Sequence, residues 1–164
     1  MFPSARPLLL SLVVATALPL GCSSSSPPGF VTTARAAPSL TVYQGTPREG
    51  FAPPGTPPPA AGSTFAIADQ SFFRTPQTLQ GDQARALASA LADDANYDRH
   101  QAGKKCGGFH ADWAVEWQRG NETVRALLCF GCGEVRWLSR DGEHINDLTS
   151  AGEQKLQALL KPPG

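Results

Sequence analysis

Between residues 113 and 137 the chain alternates apolar with polar or small side chains almost without a break. Trp113, Val115 and Trp117 alternate with Ala114, Glu116 and Gln118, and Arg119-Gly120-Asn121 supplies a turn. Val124, Ala126, Leu128 and Phe130 then alternate with Thr123, Arg125, Leu127 and Cys129. Gly131 and Gly133 bracket Cys132 in a second tight connection, after which Val135 and Trp137 keep the same phase. A period of two sends successive side chains to opposite faces of a strand. The run therefore predicts a three-stranded antiparallel meander with one buried face. At such positions Trp113, Trp117 and Trp137 are expected in the core rather than on a ligand surface.

The flanks add strands and helices. Leu40 to Tyr43 has strand character and stops at Gly45-Thr46-Pro47, and Phe65 to Ala68 begins a second strand, with Phe72-Phe73 adding apolar bulk nearby. Pro53, Pro54, Pro57, Pro58 and Pro59 make residues 50–62 a stiff, exposed loop. From Asp82 to Asp93, Ala84, Leu87, Ala88 and Leu91 form one helical stripe. A second helix is expected from Ser150, which has capping-box spacing to Glu153. Its apolar face is Leu156, Leu159 and Leu160, and Pro162-Pro163 ends it. The expected fold is α+β: a small antiparallel sheet, the meander plus N-terminal strands, packed against two helices in a single domain over residues 39–163.

The N-terminal segment has a different grammar. Arg6 precedes an apolar run from Leu8 to Leu18, which fits a signal-peptide core and is too short to span a bilayer. The run ends in Leu18-Pro19-Leu20-Gly21-Cys22, which resembles the lipobox of bacterial lipoproteins, although Pro19 stands where Leu is usual. The resemblance implies a signal peptide over residues 1–21, cleavage before Cys22, a diacylglycerol thioether on its sulfur and an acylated amino group carrying a palmitate-type chain. Several acyl chains anchor a protein stably where one would not. Ser23 to Ser26 with Pro27, Pro28 and Gly29 opens a Ser/Pro-rich stretch read as a flexible tether over residues 22–38. By analogy with well-studied diderm bacteria, Ser23 points to the outer membrane, facing the periplasm or the exterior. No transmembrane span is expected after the signal. Basic and acidic residues balance at 14 each, so nucleic acid is not an expected partner. The membrane, through Cys22, and an unidentified envelope component are.

With Cys22 set aside for lipid, three cysteines remain, in Cys106-Gly107-Gly108-Phe109-His110 and Cys129-Phe130-Gly131-Cys132. Cys106 and His110 precede the first strand of the meander, and Cys132 sits in its second turn, so the four groups can converge. Together the two motifs resemble a group of small bacterial lipoproteins of uncharacterised function that carry C-G-G-F-H-P-D followed by C-F-G-C-x-E. Here Ala111 replaces the usual Pro. Val42 to Pro47 is similar to the opening strand of that group. The resemblance implies a shared fold and export route and no activity.

Three chemistries compete for the cluster. The first is a structural disulfide among Cys106, Cys129 and Cys132 with His110 as a hydrogen-bonding residue, favoured by an oxidising compartment. The second is a zinc or other metal site of Cys106, His110, Cys129 and Cys132, three thiolates and an imidazole at plausible ligand spacing. The third is thiol–disulfide exchange by Cys129 and Cys132. Reactive C-x-x-C pairs usually sit at a helix N-terminus, whereas this pair lies between two strands. His110 and Asp112 can form a base–orienter pair, or simply a polar edge. His100 and His144 are expected in solvent, as are Asp93-Asp94 and Lys104-Lys105. No phosphate-binding loop, nucleophile elbow or paired catalytic carboxylates is present. The leading expectation is a non-enzymatic envelope domain stabilised by its cysteine–histidine cluster.

Overall fold

The computed structural model describes residues 26–48, 55–104 and 106–161. The segment expected to be a signal peptide, and Cys22, lie outside the described residues. The alternating run forms strands β6 (Trp113–Arg119), β7 (Glu122–Cys129) and β8 (Glu134–Ser139). A further strand, β9 (Gly142–Leu148), extends the meander. Before it come β1 (Ser39–Gln44), β2 (Thr64–Ile67), β3 (Gln70–Phe73), β4 (Gln77–Gln80) and β5 (Tyr97–Arg99). The main sheet has seven strands in the order β4-β1-β6-β7-β8-β9-β5, every pair antiparallel. β2 and β3 pair separately as a hairpin. Helices α1 (Gly81–Leu91) and α2 (Ser150–Leu160) complete an α+β fold.

Both helices pack on one face of the sheet. Val115, Trp117, Val124, Ala126, Leu128, Val135 and Trp137 meet Leu87, Ala88, Leu91, Leu156 and Leu160 there in a single buried cluster. Trp117 and Trp137 are core residues as expected, whereas Trp113 is half-buried at the margin. The opposite face carries a smaller cluster of Ile67, Phe72, Ala111, Ala114 and Leu127, with Phe65 and Phe109 packed against it. The β2–β3 hairpin contributes Ile67 and Phe72 to this second layer.

The expected tether is shorter than the Ser/Pro composition implies. Gly29–Ala36 is a 3-10 helix that buries Val31 and Ala34 in the helix-side core. Ser26 is fixed as well: its hydroxyl donates to Asp94 at 3.1 Å and its carbonyl accepts from Asn146 Nδ2 at 3.4 Å. Val31 and Ala34 lie three apart, and burying both offsets the entropy of ordering the segment.

The start of α2 also differs from expectation. The cap is Thr149, not Ser150: its Oγ1 accepts the Gly152 amide at 3.0 Å. Both residues are good cap formers, and the one still in extended backbone takes the role. In β9, Leu148 faces the helices, and Asn146 lies on the same face, where its Oδ1 accepts from the buried Trp137 Nε1 at 2.9 Å. No helix among the described residues is long and apolar enough to cross a membrane.

Candidate functional site

Leu128, Val135 and Leu148 point to the helices, so their neighbours Cys129, Glu134 and Asp147 point to the opposite face. The register sets Cys129 beside Glu134 and Glu134 beside Asp147, a polar row at one end of the sheet. All three residues are buried. Cys132 follows in the β7–β8 turn, and the loop of residues 100–112 crosses above.

That loop is fastened at many points. Asp147 accepts His100 Nδ1–H at 3.0 Å and the Gln101 amide at 3.0 Å. Lys104 Nζ lies 2.9 Å from Asp147 and 3.7 Å from Glu134, and donates to the Cys132 and Gly133 carbonyls at 3.1 and 3.3 Å. His100 and Lys104, expected in solvent, are therefore anchors of the loop, the first by a hydrogen bond and the second by ion pairs. Burial pushes the Asp147 carboxyl up, but bonds from Lys104, His100 and the Gln101 amide outweigh it and hold it below the usual carboxylate value. His100, Glu134 and Asp147 also have ligating atoms within 4.8 Å of one another. The Lys104 ammonium already lies against both carboxylates and supplies one positive charge to the pair.

The Cys106 end is held differently. The Arg48 guanidinium donates to the Cys106 carbonyl at 2.8 Å and also to the Gly107 carbonyl. Gly107 and Gly108 both have positive φ, +74° and +96°, a double reversal that side chains with a Cβ rarely adopt. Phe109 then lies 4.1 Å from the Arg136 guanidinium, measured to the ring centroid. His110 Nε2–H donates to the Thr46 carbonyl at 2.8 Å, which fixes the tautomer and leaves Nδ1 with a lone pair when the ring is neutral. Asp112 Oδ2 accepts the Phe130 amide at 2.7 Å and so secures the first residue after Cys129. His110 and Asp112 thus have separate structural partners.

Cys106, His110, Cys129 and Cys132 line one cavity of about 220 Å³ together with Arg48, Asp112 and Gly131. The four residues singled out in the sequence are brought together. Cys132 is held by its backbone neighbour across the site: its thiol donates to the Gly108 carbonyl at 3.4 Å, with the Cys106 and Cys129 sulfurs close enough to influence it. Burial, reinforced by those two sulfurs, pushes the Cys132 thiol well above its ordinary pKa. The three cysteines are free thiols here. Their turn is followed by β8, not by a helix N-terminus.

A second cavity of about 290 Å³ adjoins the first through Asp112 and Gly131 and is lined by Trp113, Phe130, Gln157 and Lys161. His144 is exposed, as expected. Lys104 and His100 were not recognisable from sequence, since isolated charges in a loop carry no periodic signal. Only the register of Glu134 beside Asp147 reveals the acidic pair they bind. Comparisons with protein-family models, curated proteins and solved structures gave no match.

Proposed function

We propose that this chain is an exported, lipid-anchored envelope protein with a non-enzymatic domain, in which the cysteine cluster fastens the loop of residues 100–112 to the β7–β8 turn. The observation that carries this reading is that Cys106, Cys129 and Cys132 line one cavity, in a site already clamped by Arg48, Lys104 and Asp147. Burial raises the Cys132 pKa, which makes that thiol a poor attacking nucleophile at neutral pH. The anchor rests on the resemblance of Leu18 to Cys22 to a lipobox.

Oxidation joins two thiols into a disulfide, releasing two protons and passing two electrons to a disulfide-exchange oxidant of the compartment. Cys132 has two candidate partners. A Cys129–Cys132 bond closes only a four-residue loop, worth about 1.9 kcal/mol of chain entropy, whereas Cys106–Cys132 closes about 27 residues and is worth about 3.5 kcal/mol. The second bond is the more stabilising, and it joins the loop to the turn.

A metal is the second reading: His110 lines the same cavity, but the four groups would have to draw together to share an ion, since among the described residues the ligating atoms gathered within 4.8 Å are those of His100, Glu134 and Asp147. Cys106, Cys129 and Cys132 with His110 Nδ1 would give a closed four-ligand zinc site, structural rather than catalytic. The Thr46 carbonyl bonded to Nε2 is the kind of partner that orients a metal-bound imidazole. Intact mass and metal content of the domain, purified from the envelope without reductant, test the reading. A loss of about 2 Da without metal supports the disulfide, and peptide mapping then identifies the pair. Zinc with all thiols reduced supports the second reading. Measurable turnover abolished by Cys132→Ser would overturn both.

A further inference from the structure

The β7–β8 turn and the paired strands β8 and β9 bring four oxygens around one point, and the Lys104 ammonium sits there. Asp147 Oδ1 is 2.9 Å from it, the Cys132 and Gly133 carbonyl oxygens 3.1 and 3.3 Å, and Glu134 Oε1 3.7 Å. His100 Nδ1 and the Gln101 amide donate to Asp147 at 3.0 Å each and fix its carboxylate, as outer partners do for a metal ligand. The ammonium does not satisfy what surrounds it. It has three N–H groups, and Asp147 and the two carbonyls take them. Glu134 is left over: its side chain is only 10% exposed, and it accepts no hydrogen bond from the described residues. Two buried carboxylates also face one positive charge, so with a neutral imidazole one negative charge stays uncompensated. Buried carboxylates are costly without close partners.

We propose that Glu134, Asp147 and the Cys132 and Gly133 carbonyls form a site for a hard divalent cation of the calcium class, in which Lys104 is the resident competitor. A divalent ion cancels both carboxylate charges and is not limited to three partners. Calcium takes six to eight oxygens at about 2.3–2.6 Å. Both Glu134 oxygens, Asp147 Oδ1 and the two carbonyls offer five, and water completes the shell. The oxygens must close in on the ion as the ammonium leaves. Lys104 is 28% exposed on a loop, so it can turn to solvent without disturbing either apolar cluster. The apparent dissociation constant is the intrinsic one divided by the fraction of time the site is competent. An ammonium in place about nine-tenths of the time therefore weakens binding about tenfold. The site uses the Cys132 carbonyl and no sulfur, and hard ions avoid thiolates. It depends on neither the lipid anchor nor the state of the cysteines.

The test titrates calcium alone into the full chain, purified in a neutral detergent under reductant after treatment with a chelator, and follows binding by calorimetry. One ion per chain is expected, with a dissociation constant of about 0.1–1 mM, the range of extracellular calcium modules. Lys104→Met is expected to bind about tenfold more tightly. Glu134→Gln, which keeps the shape and removes the charge, is expected to lose binding, with near-ultraviolet circular dichroism showing that its fold is kept. If Lys104→Met folds only when calcium is present, that rescue supports the site equally. No binding by the wild-type chain up to about 10 mM, tenfold above that range, overturns the proposal, as does binding that folded Glu134→Gln leaves unchanged. Equal affinity in wild type and Lys104→Met overturns the role of Lys104 as competitor.

Discussion

On one face of the sheet, Trp117, Ala126, Leu128, Val135 and Trp137 are sealed under two α-helices and a 3-10 helix. On the other, the same strands place Cys129, Glu134, Arg136 and Asp147 beneath a hairpin and a loop. The first face is sealed by apolar area, a non-directional force that tolerates exchange between residues of similar volume. The second combines a small apolar cluster with individual partners: Lys104 for two carboxylates, Asp112 for an amide, Phe109 for a guanidinium. Buried polar groups are costly unless paired, so on this face each residue's identity matters more than its size.

The sharpest break of the comparison is a pair of truncations. Trp137→Ala on the helix face is expected to cost about 3–5 kcal/mol, and Leu127→Ala on the hairpin face to fall near the low end of about 2–5 kcal/mol, because its cluster is thin and can collapse. Urea unfolding of both variants checks the order, and a larger loss at Leu127 would reverse the assignment of the main core. Next in size is the proposed Cys106–Cys132 cross-link. Cys106→Ser is expected to cost about 3.5 kcal/mol in oxidised protein and much less after reduction, so unfolding with and without reductant isolates it.

Asp147→Asn follows, at about 2 kcal/mol near neutral pH, for the loss of charge-assisted bonds to His100, Lys104 and the Gln101 amide. Because the folded carboxyl is held below its unfolded value, its contribution is complete above that value, near pH 3.9, and is lost as pH falls through the folded pKa. The stabilities of wild type and variant should therefore converge in acid, and a gap that persists at pH 2 would show that packing, not charge, is the cause. Smallest is Lys155→Ala, which removes an exposed pair to Asp93 and should change stability by less than about 0.5 kcal/mol.

The difference between the faces also explains what could be read in advance. The meander was legible because Trp113 to Trp137 keep one phase through two turns, and apolar burial enforces that phase. β9 was not, because Asn146 stands where an apolar residue is expected and is rescued by Trp137 Nε1 and the Ser26 carbonyl, partners far away in sequence. The 3-10 helix was hidden by the Ser/Pro run before it, although Val31 and Ala34 already had helical spacing. The cysteine and histidine members of the site were visible as residue types with few alternative uses. Its charged fasteners were not, since Lys104 becomes a fastener only once the β8–β9 register has put Glu134 beside Asp147.

β1, the strand nearest the N-terminus, lies between β4 and β6 and is hydrogen-bonded along both sides. In mechanical terms this is a strong place for a load to enter. A pull on the N-terminal end meets Ser26's bonds and the docked 3-10 helix first, then a strand that must shear against two neighbours at once instead of peeling from an edge. Segments near a chain end usually fray unless tied into a sheet, and β1 is tied into its interior. Forced detachment from that end should therefore be governed by rupture of the sheet itself, and resistance to pulling should be greater there than at the C-terminal helix.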